Sequence, residues 1–229
     1  MQGILVLDKP PGISSARAVA RVKRLLPRGT KIGHAGTLDP FATGILLLLI
    51  GKATKLCEKL MDSPKQYEAR IKFGANTATD DPESPEQPHV IAKIPDVLRI
   101  DEALQAFVGR IEQRPPIYSA MKVGGQRAYK LARKGEAVEM KPRTVVVYGI
   151  ERLDYAWPEL SLRIDCGRGT YIRSIARDLG EALSVGGYLT ALRRTRVGRF
   201  ELKNAASIEQ LTEGTLESML QCGDEPLTR

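Results

Sequence analysis

The chain has 229 residues, 42% of them hydrophobic and 27% charged, which is enough to bury a globular core. Its 35 Lys and Arg residues outnumber 27 Asp and Glu, and the formal charge of +8 favours a polyanionic partner such as nucleic acid. Three scattered cysteines form no CxxC pair, which disfavours a disulfide framework and a zinc site. The N-terminus has no secretory leader and no apolar run is long enough to cross a bilayer, so we expect a soluble cytoplasmic protein.

The first fifty residues predict two strands and one helix. Gly3 to Leu7 is short, apolar and β-prone, and a proline-rich turn ends it. Ser14 or Ser15 can cap a helix that runs to about Leu26, because apolar residues recur on one face. The aliphatic run Ile45 to Ile50 is flanked by glycines, and its length predicts a buried strand.

Later segments alternate strand and helix patterns. Apolar residues alternate with polar ones in Tyr67 to Phe73 and in Leu160 to Cys166, which predicts strands with one buried face. Helical spacing follows in Ile172 to Leu183. We therefore expect an α+β fold, with a mixed, mostly antiparallel central sheet flanked by helices, in one domain at 1–203. The remaining tail, 204–229, is short and predicted to be helical.

A basic segment at 110–143 interrupts this pattern. It holds nine Lys and Arg residues, Lys122 and Arg127 among them, against three acids, and tyrosines are interleaved. This composition suits a mobile lobe that contacts RNA better than a membrane-binding helix, because a continuous apolar stripe is missing. A second basic stretch, Leu192 to Arg199, includes Arg193 and also suits phosphate contacts, although a solvated face would have the same composition.

Three places could carry chemistry. Asp39 lies in a loop before the buried strand, where Pro40 biases it away from helical geometry, although a simple Asp-Pro turn has the same sequence. Arg173 lies in the first turn of a helix that follows Gly167-Arg168-Gly169; a cation there opposes the helix dipole, so we expect an acidic partner. Tyr67 begins a strand on its apolar face, and its ring can pack in the core or stack on a base.

Six blocks, in the same order, make the chain similar to the TruB family of tRNA pseudouridine synthases. The blocks are Gly3 to Ser15, His34 to Leu46, Lys65-Gln66-Tyr67, Arg114 to Lys122, Gly167 to Ser174, and Leu192-Arg193-Arg194. The resemblance runs from Gly3 to about Phe200, nearly the whole chain. It implies isomerisation of uridine to pseudouridine at position 55, in the T loop of tRNA. This reaction transfers no external group and involves no redox step, so we expect neither cofactor nor metal. We also expect a monomer, because no long apolar stripe is left unassigned.

The resemblance also implies roles for individual residues, each taken from the family position that it matches. Asp39 matches the catalytic aspartate, Arg173 the arginine that pairs with it, and Tyr67 the ring that stacks on the flipped base. The remaining matches are to substrate-binding or supporting positions: Lys9, His34, Tyr171 and Leu192. The basic lobe with Lys122 and Arg127 resembles the family's RNA-clamping insertion.

Two departures from the family and three other functions stay open. The acidic loop 77–88 lacks the glycine that usually follows its aspartates, which puts its contacts in doubt, and the chain is too short for a full-size added RNA-binding domain. The leading alternative is a non-catalytic tRNA-folding chaperone on the same fold. The others are a hydrolase of an N-glycosidic bond, which would want a second acid to activate water, and a synthase acting on another RNA or with a guide RNA.

Overall fold

A computed structural model describes residues 1–119, 121–136 and 138–222. The helices are α1 (Ser15–Lys23), α2 (Cys57–Asp62), α3 (Val97–Gln105), α4 (Ala128–Arg133) and α5 (Ile172–Ala182). The strands are β1 (Gly3–Lys9), β2 (Ile32–Ala35), β3 (Thr43–Ile50), β4 (Lys65–Phe73), β5 (Ala75–Thr77), β6 (Glu86–Pro88), β7 (Gly109–Gln113), β8 (Lys122–Val123), β9 (Gln126–Arg127), β10 (Arg143–Ala156), β11 (Glu159–Cys166), β12 (Gly187–Val197), β13 (Phe200–Glu201), β14 (Ala206–Ser207) and β15 (Leu220–Gln221).

The chain forms two compact units. Unit 1 comprises Met1–Glu68 and the chain from Leu192 onward, and unit 2 comprises Ala69–Ala191. The expected division into a domain at 1–203 and a tail stays a prediction, since these units divide the chain elsewhere. Across the described ranges, no helix combines the length and the hydropathy needed to span a bilayer.

Unit 1 is built around β1 and β3, which pair antiparallel along their whole length, from Gly3 opposite Ile50 to Lys9 opposite Gly44. Strand β3 also pairs antiparallel with β2 and, at its first two residues, parallel with β12. All but the first residue of β3 are buried, as expected for an aliphatic strand covered on both faces. One face of this sheet joins a core formed by Ile4, Val6, Ala35, Ile45, Leu47, Leu49, Ala53, Leu60, Val197 and Phe200.

The predicted helix in the C-terminal tail is wrong for the part that is described. Between residues 202 and 221 the chain forms short 3-10 turns and two strands, β14 parallel and β15 antiparallel to β1. Leu216 is fully buried, so the segment belongs to the packed unit. Its apolar residues recur at helical spacing, but the backbone finds its hydrogen-bond partners along β1, and the tertiary pairing overrides the local pattern.

Unit 2 contains a second group of paired strands. Strand β10 pairs antiparallel with β11 on one side and with β7 on the other, and β4 follows β11 in the sheet order. The predicted alternation in β4 is confirmed, because Ala69, Ile71 and Phe73 are buried whereas Glu68 and Arg70 are exposed. Helix α5 buries Ile175 and Leu179, and α3 packs against it.

The fold class is as predicted: an α+β fold with a mixed, mostly antiparallel sheet. Helix α1 is capped at Ser14, whose side-chain oxygen accepts from the Arg17 N–H at 3.2 Å, and it ends a few residues earlier than expected. Helix α5 begins at Ile172, as its spacing predicted. The described residues of the basic segment 110–143 form most of β7, the small hairpin β8–β9, α4 and the first residue of β10.

Candidate active site

Asp39 lies in a loop of unit 1 whose backbone is held on both sides of it. The Ser15 hydroxyl donates to the Leu38 carbonyl at 2.9 Å and accepts from the Leu38 N–H at 2.8 Å. On the other side, the Pro40 carbonyl accepts from the Gly12 N–H at 2.8 Å. The Asp39 side chain itself is half-buried. A half-buried carboxylate on a doubly tied loop can be presented to a ligand in one position.

The same loop rests on Lys9, the last residue of β1. Its ammonium group donates to the carbonyls of Pro10 and Ile13, each at 2.8 Å, and of Pro40 at 3.2 Å. The side chain is fully buried. These contacts place Lys9 beneath the loop that carries Asp39; its expected role in substrate binding stays a prediction.

Arg194 is a buried arginine that ties the start of this loop to two strands. Its guanidinium donates to the Gly36 carbonyl at 3.0 Å and to the Ile45 carbonyl at 2.7 Å, and its third nitrogen lies 3.5 Å from the Tyr67 hydroxyl. Tyr67 is only 8% exposed, so its ring is largely covered by protein. The sequence showed Arg194 as one cation in a basic stretch, and its burial gave no sequence signal.

The remaining predicted residues of unit 1 lie on β2 and β12. His34 is half-buried on β2. Leu192 is 7% exposed, and its carbonyl accepts from the Thr43 hydroxyl at 3.5 Å. Arg193 donates to Asp8 at 2.7 Å and to the Thr43 hydroxyl at 3.2 Å, so its charge is already partly compensated within the protein.

Arg173 is buried in unit 2, in the first turn of α5. One terminal nitrogen donates to the Thr79 carbonyl at 2.9 Å and to the Asp81 carboxylate at 3.0 Å. The other donates to the Tyr118 carbonyl at 2.8 Å. The acidic partner expected from the position of this cation is therefore present, and it comes from the loop whose contacts the sequence left in doubt. The predicted pairing with Asp39 stays a prediction, because the two residues belong to different units.

Asp81 is fully occupied by contacts within its own loop and with Arg173. Its second carboxylate oxygen accepts from the Thr79 hydroxyl at 2.5 Å and from the Glu83 N–H at 2.9 Å. The prolines that replace the usual glycine in this loop are compatible with these bonds. Sequence reasoning missed Asp81, although its place beside Asp80 in an acidic loop was visible.

Asp80 and Asp178 surround Arg177, one helical turn beyond Arg173. Arg177 donates to Asp80 at 2.9 Å and to Asp178 at 2.8 Å. Burial raises the pKa of Asp80 above its ordinary value, although the charge of Arg177 opposes the shift. Burial likewise raises the pKa of Asp178 against the effect of Arg177. The neighbouring residues Asp80 and Asp81 thus pair with Arg177 and Arg173, which are one turn apart on the same face of α5.

Tyr171 is the residue before α5, and the amide side chain of Gln113 holds its backbone. Gln113 accepts from the Tyr171 N–H at 2.8 Å and donates to the Tyr171 carbonyl at 3.0 Å. Gln113 was not predicted as a site residue; a polar residue ending β7, next to Arg114 and two prolines, was its only sequence signal. Lys122 and Arg127 lie on β8 and β9, but their side chains are outside the part of the chain that is described.

Comparison with known families identifies the class of protein to which the chain belongs. Residues 23–172 match the family model described as TruB family pseudouridylate synthase (N terminal domain). Residues 173–226 match the model of the tRNA pseudouridylate synthase B C-terminal domain. The chain belongs to the TruB family of pseudouridylate synthases, and is therefore an enzyme of the isomerase class, as the sequence resemblance predicted.

Individual relatives resemble the chain over most of its length. The tRNA pseudouridine synthase B of Xanthomonas oryzae is 46% identical over 230 residues, which cover 100% of this chain and 72% of the relative. The protein of the same name from Mycobacterium tuberculosis is 46% identical over 215 residues, which cover 92% of this chain and 72% of the relative. That of Trichormus variabilis is 47% identical over 230 residues, covering 97% and 75%.

Solved structures share the fold. A chain in the crystal structure of a Cbf5-Nop10-Gar1 complex superposes with a TM-score of 0.70 at 32% identity, over 91% of this chain and 53% of that chain. A chain in the structure of an H/ACA RNP bound to a substrate RNA containing 2′-deoxyuridine gives 0.68 at 28% identity, over 96% and 56%. This chain therefore spans little more than half the length of these solved chains.

Proposed function

We propose that this enzyme converts the uridine at position 55, in the T loop of tRNA, into pseudouridine, with Asp39 as the catalytic carboxylate. The observation that carries the proposal is the loop of Asp39, which Ser15 and Lys9 hold on either side of the carboxylate. Family membership supplies the class of reaction, and the relatives named tRNA pseudouridine synthase B support tRNA as the substrate.

The reaction begins with extraction of the target base. A uridine inside a folded loop must flip out of its stack, at a cost of about a few kcal/mol, before a protein side chain can reach it. The ionised carboxylate of Asp39 then adds to the sugar or base, or takes a proton from the ribose, and the bond between C1′ and N1 breaks. The detached uracil turns and C5 bonds to C1′, which releases the Asp39 carboxylate. The C5 proton is lost and N1 takes up a proton, so the product is an isomer of the substrate. Nothing is oxidised and no group is gained, so the chemistry calls for no cofactor.

The other predicted residues have places in this scheme. The ring of Tyr67 stacks on the flipped base, Tyr171 and Leu192 line the site, and His34 helps to hold the opened T loop. Arg173 is the arginine that pairs with the catalytic carboxylate and supplies a positive charge to it. Its anchoring by Asp81 and by the Tyr118 carbonyl supports this role, because a guanidinium held at both ends keeps its direction.

Binding of tRNA relies on charge. The segment 110–143, including Lys122 and Arg127, and the basic stretch with Arg193 supply phosphate contacts, and the net charge of +8 favours the approach of RNA. We propose that one protein molecule acts alone on the T stem-loop, without a guide RNA and away from membranes.

The test is release of tritium from C5 of uridine in a tRNA transcript. The native protein should release about one equivalent from a transcript with uridine at position 55 and none from one with cytidine there. Asp39→Asn should release none, whereas Asp62→Asn, which changes an exposed aspartate of the same unit, should behave as native. Binding of tRNA by the native protein without any release would contradict the proposal and favour the tRNA-folding chaperone.

A further inference from the structure

Gln113 is a buried amide placed between two segments of the site in unit 2. It is the last residue of β7 and only 1% exposed, so it is out of reach of any substrate. Its side chain points at one residue, Tyr171, and bonds both the N–H and the carbonyl of that residue's backbone, at 2.8 and 3.0 Å. A primary amide offers one acceptor and a donor side by side, which is what a neighbouring strand would offer.

The contact holds the residue from which α5 starts. Tyr171 has extended backbone geometry and is the residue from which α5 starts, and its side chain makes no capping hydrogen bond to the helix. The first N–H groups of a helix have no partner within the helix, so the start of α5 is set by what surrounds it. A rotation of the Tyr171 backbone would move its own ring and the first turn of α5, including Arg173.

The next residue of the chain joins the same helix. The Arg114 carbonyl accepts from the Ser174 hydroxyl at 2.9 Å and from Arg177 at 2.8 Å. The end of β7 is therefore tied to the start of α5 at successive positions, and Gln113 holds the backbone immediately before the helix. With Gln113 removed, the contacts of Arg114 still hold the helix in place, but the backbone of Tyr171 loses two bonds.

From this geometry we infer that Gln113 is a positioning residue for catalysis. It fixes the backbone of Tyr171 and thereby the direction of the Tyr171 ring and of Arg173, without touching the RNA. The inference rests on the proposed function, since it assigns Gln113 a role in the same reaction. Gln113 ends β7 and immediately precedes the block from Arg114 to Lys122, so the residue that holds Tyr171 adjoins one of the segments that resemble the family.

Two variants separate the two hydrogen bonds. Gln113→Met keeps the length of the side chain and removes both bonds. Gln113→Glu keeps an acceptor for the Tyr171 N–H and, when ionised, loses the donor to the carbonyl. An exposed glutamine of the same unit, Gln105 at the end of α3, gives the matched control Gln105→Met.

We expect kcat for tritium release to fall by about 100-fold in Gln113→Met, the scale of a misplacement of about 1 Å, with KM for tRNA within about twofold of native. Gln113→Glu should lie between this variant and the native protein, and Gln105→Met should match the native protein. Hydrogen exchange should speed up at the Tyr171 amide in Gln113→Met and stay slow in Gln113→Glu, and this readout serves even where a variant loses stability.

The outcomes are distinguishable. An active native protein whose kcat is unchanged by both substitutions of Gln113 would overturn the inference alone. Losses of activity that merely follow the fraction of unfolded protein, with slow exchange at Tyr171 in the folded part, would also overturn it. A native protein that binds tRNA and releases no tritium would overturn the proposed function and this role together.

Discussion

The carboxylate of Asp81 lies 3.0 Å from the guanidinium of Arg173, and the two side chains are only 2% and 4% exposed. They are 92 residues apart in the chain. Water solvates each of these charges in the unfolded chain but is excluded from both in the folded protein. Each side chain therefore depends on the other for compensation of its charge, which keeps the pair together.

Removal of one partner should therefore cost stability. We expect Asp81→Ala to lower the free energy of unfolding by about 3–5 kcal/mol, the usual cost of leaving a buried charge unpaired. Urea unfolding of the variant and the native protein measures the difference. Asp80→Ala, which changes the adjacent and less buried acid, should cost clearly less; equal losses for the two variants would contradict the assignment of Asp81 as the principal support of Arg173.

Asp39→Asn should separate chemistry from binding. The Ser15 and Lys9 contacts that hold its loop reach the backbone of Leu38 and Pro40, so an isosteric amide should leave the fold in place. The rate of isomerisation should fall by about 1,000-fold or more, as expected when an essential carboxylate is removed. Single-turnover kinetics with excess enzyme measures the rate, and a filter-binding assay should give a native affinity for tRNA. A variant that keeps a tenth or more of the native rate would assign the chemistry to another group.

Gly44 should not tolerate a side chain. Its φ is +97°, and a Cβ atom there would lie 2.3 Å from the Arg194 carbonyl oxygen, on the strand paired with it. Backbone strain and overlap together predict that Gly44→Ala lowers the free energy of unfolding by about 3 kcal/mol or more. Gly33→Ala is the matched control in the same unit, because Gly33 has no positive φ and nothing within 4 Å of its added Cβ; it should change stability by less than about 0.5 kcal/mol.

The buried acids around Arg177 predict a pH dependence. Burial raises the folded-state pKa of Asp80 and of Asp178, so between the unfolded and the folded pKa the folded chain holds more protons than the unfolded chain. Stability contributed by these groups is intact below the unfolded pKa, near 4, and is lost as the pH rises through the raised folded pKa. The thermal midpoint of the native protein, measured relative to that of Asp80→Asn, should fall between pH 3.5 and pH 6. A difference that stays constant across this range would contradict the direction of the shift.

Sequence patterns predicted the elements whose periodicity is local. The alternation in β4, the aliphatic run of β3 and the helical spacing of α5 each report burial on the element itself, so the structure confirms them. The tail after Asn204 was misread because its apolar residues recur at helical spacing, whereas the edges of β1 decide its conformation. Local patterns carry no information about such a distant edge.

The candidate site divides in the same way. Asp39, Arg173 and Tyr67 lie in short sequence blocks that each resemble the family, and this resemblance is what predicted them. The roles of Asp81, Gln113 and Arg194 could not be predicted in this way, because each acts through a partner far along the chain: Gln113 and Tyr171 are 58 residues apart, and Arg194 and Gly36 are 158 apart. From the sequence alone, such polar side chains are expected at the surface, and only the fold shows that they are buried against these partners.

The anchors around Asp39 determine when its loop becomes ordered. Fixing the backbone of one residue costs about 1–2 kcal/mol of conformational entropy, and a loop of several residues that ordered only when RNA arrived would take that cost from the binding energy. The Ser15 hydroxyl and the Lys9 ammonium make their bonds entirely within the protein, so this ordering is completed during folding. Under the proposed function, the energy of tRNA binding is then left for opening the T loop and extracting the uridine.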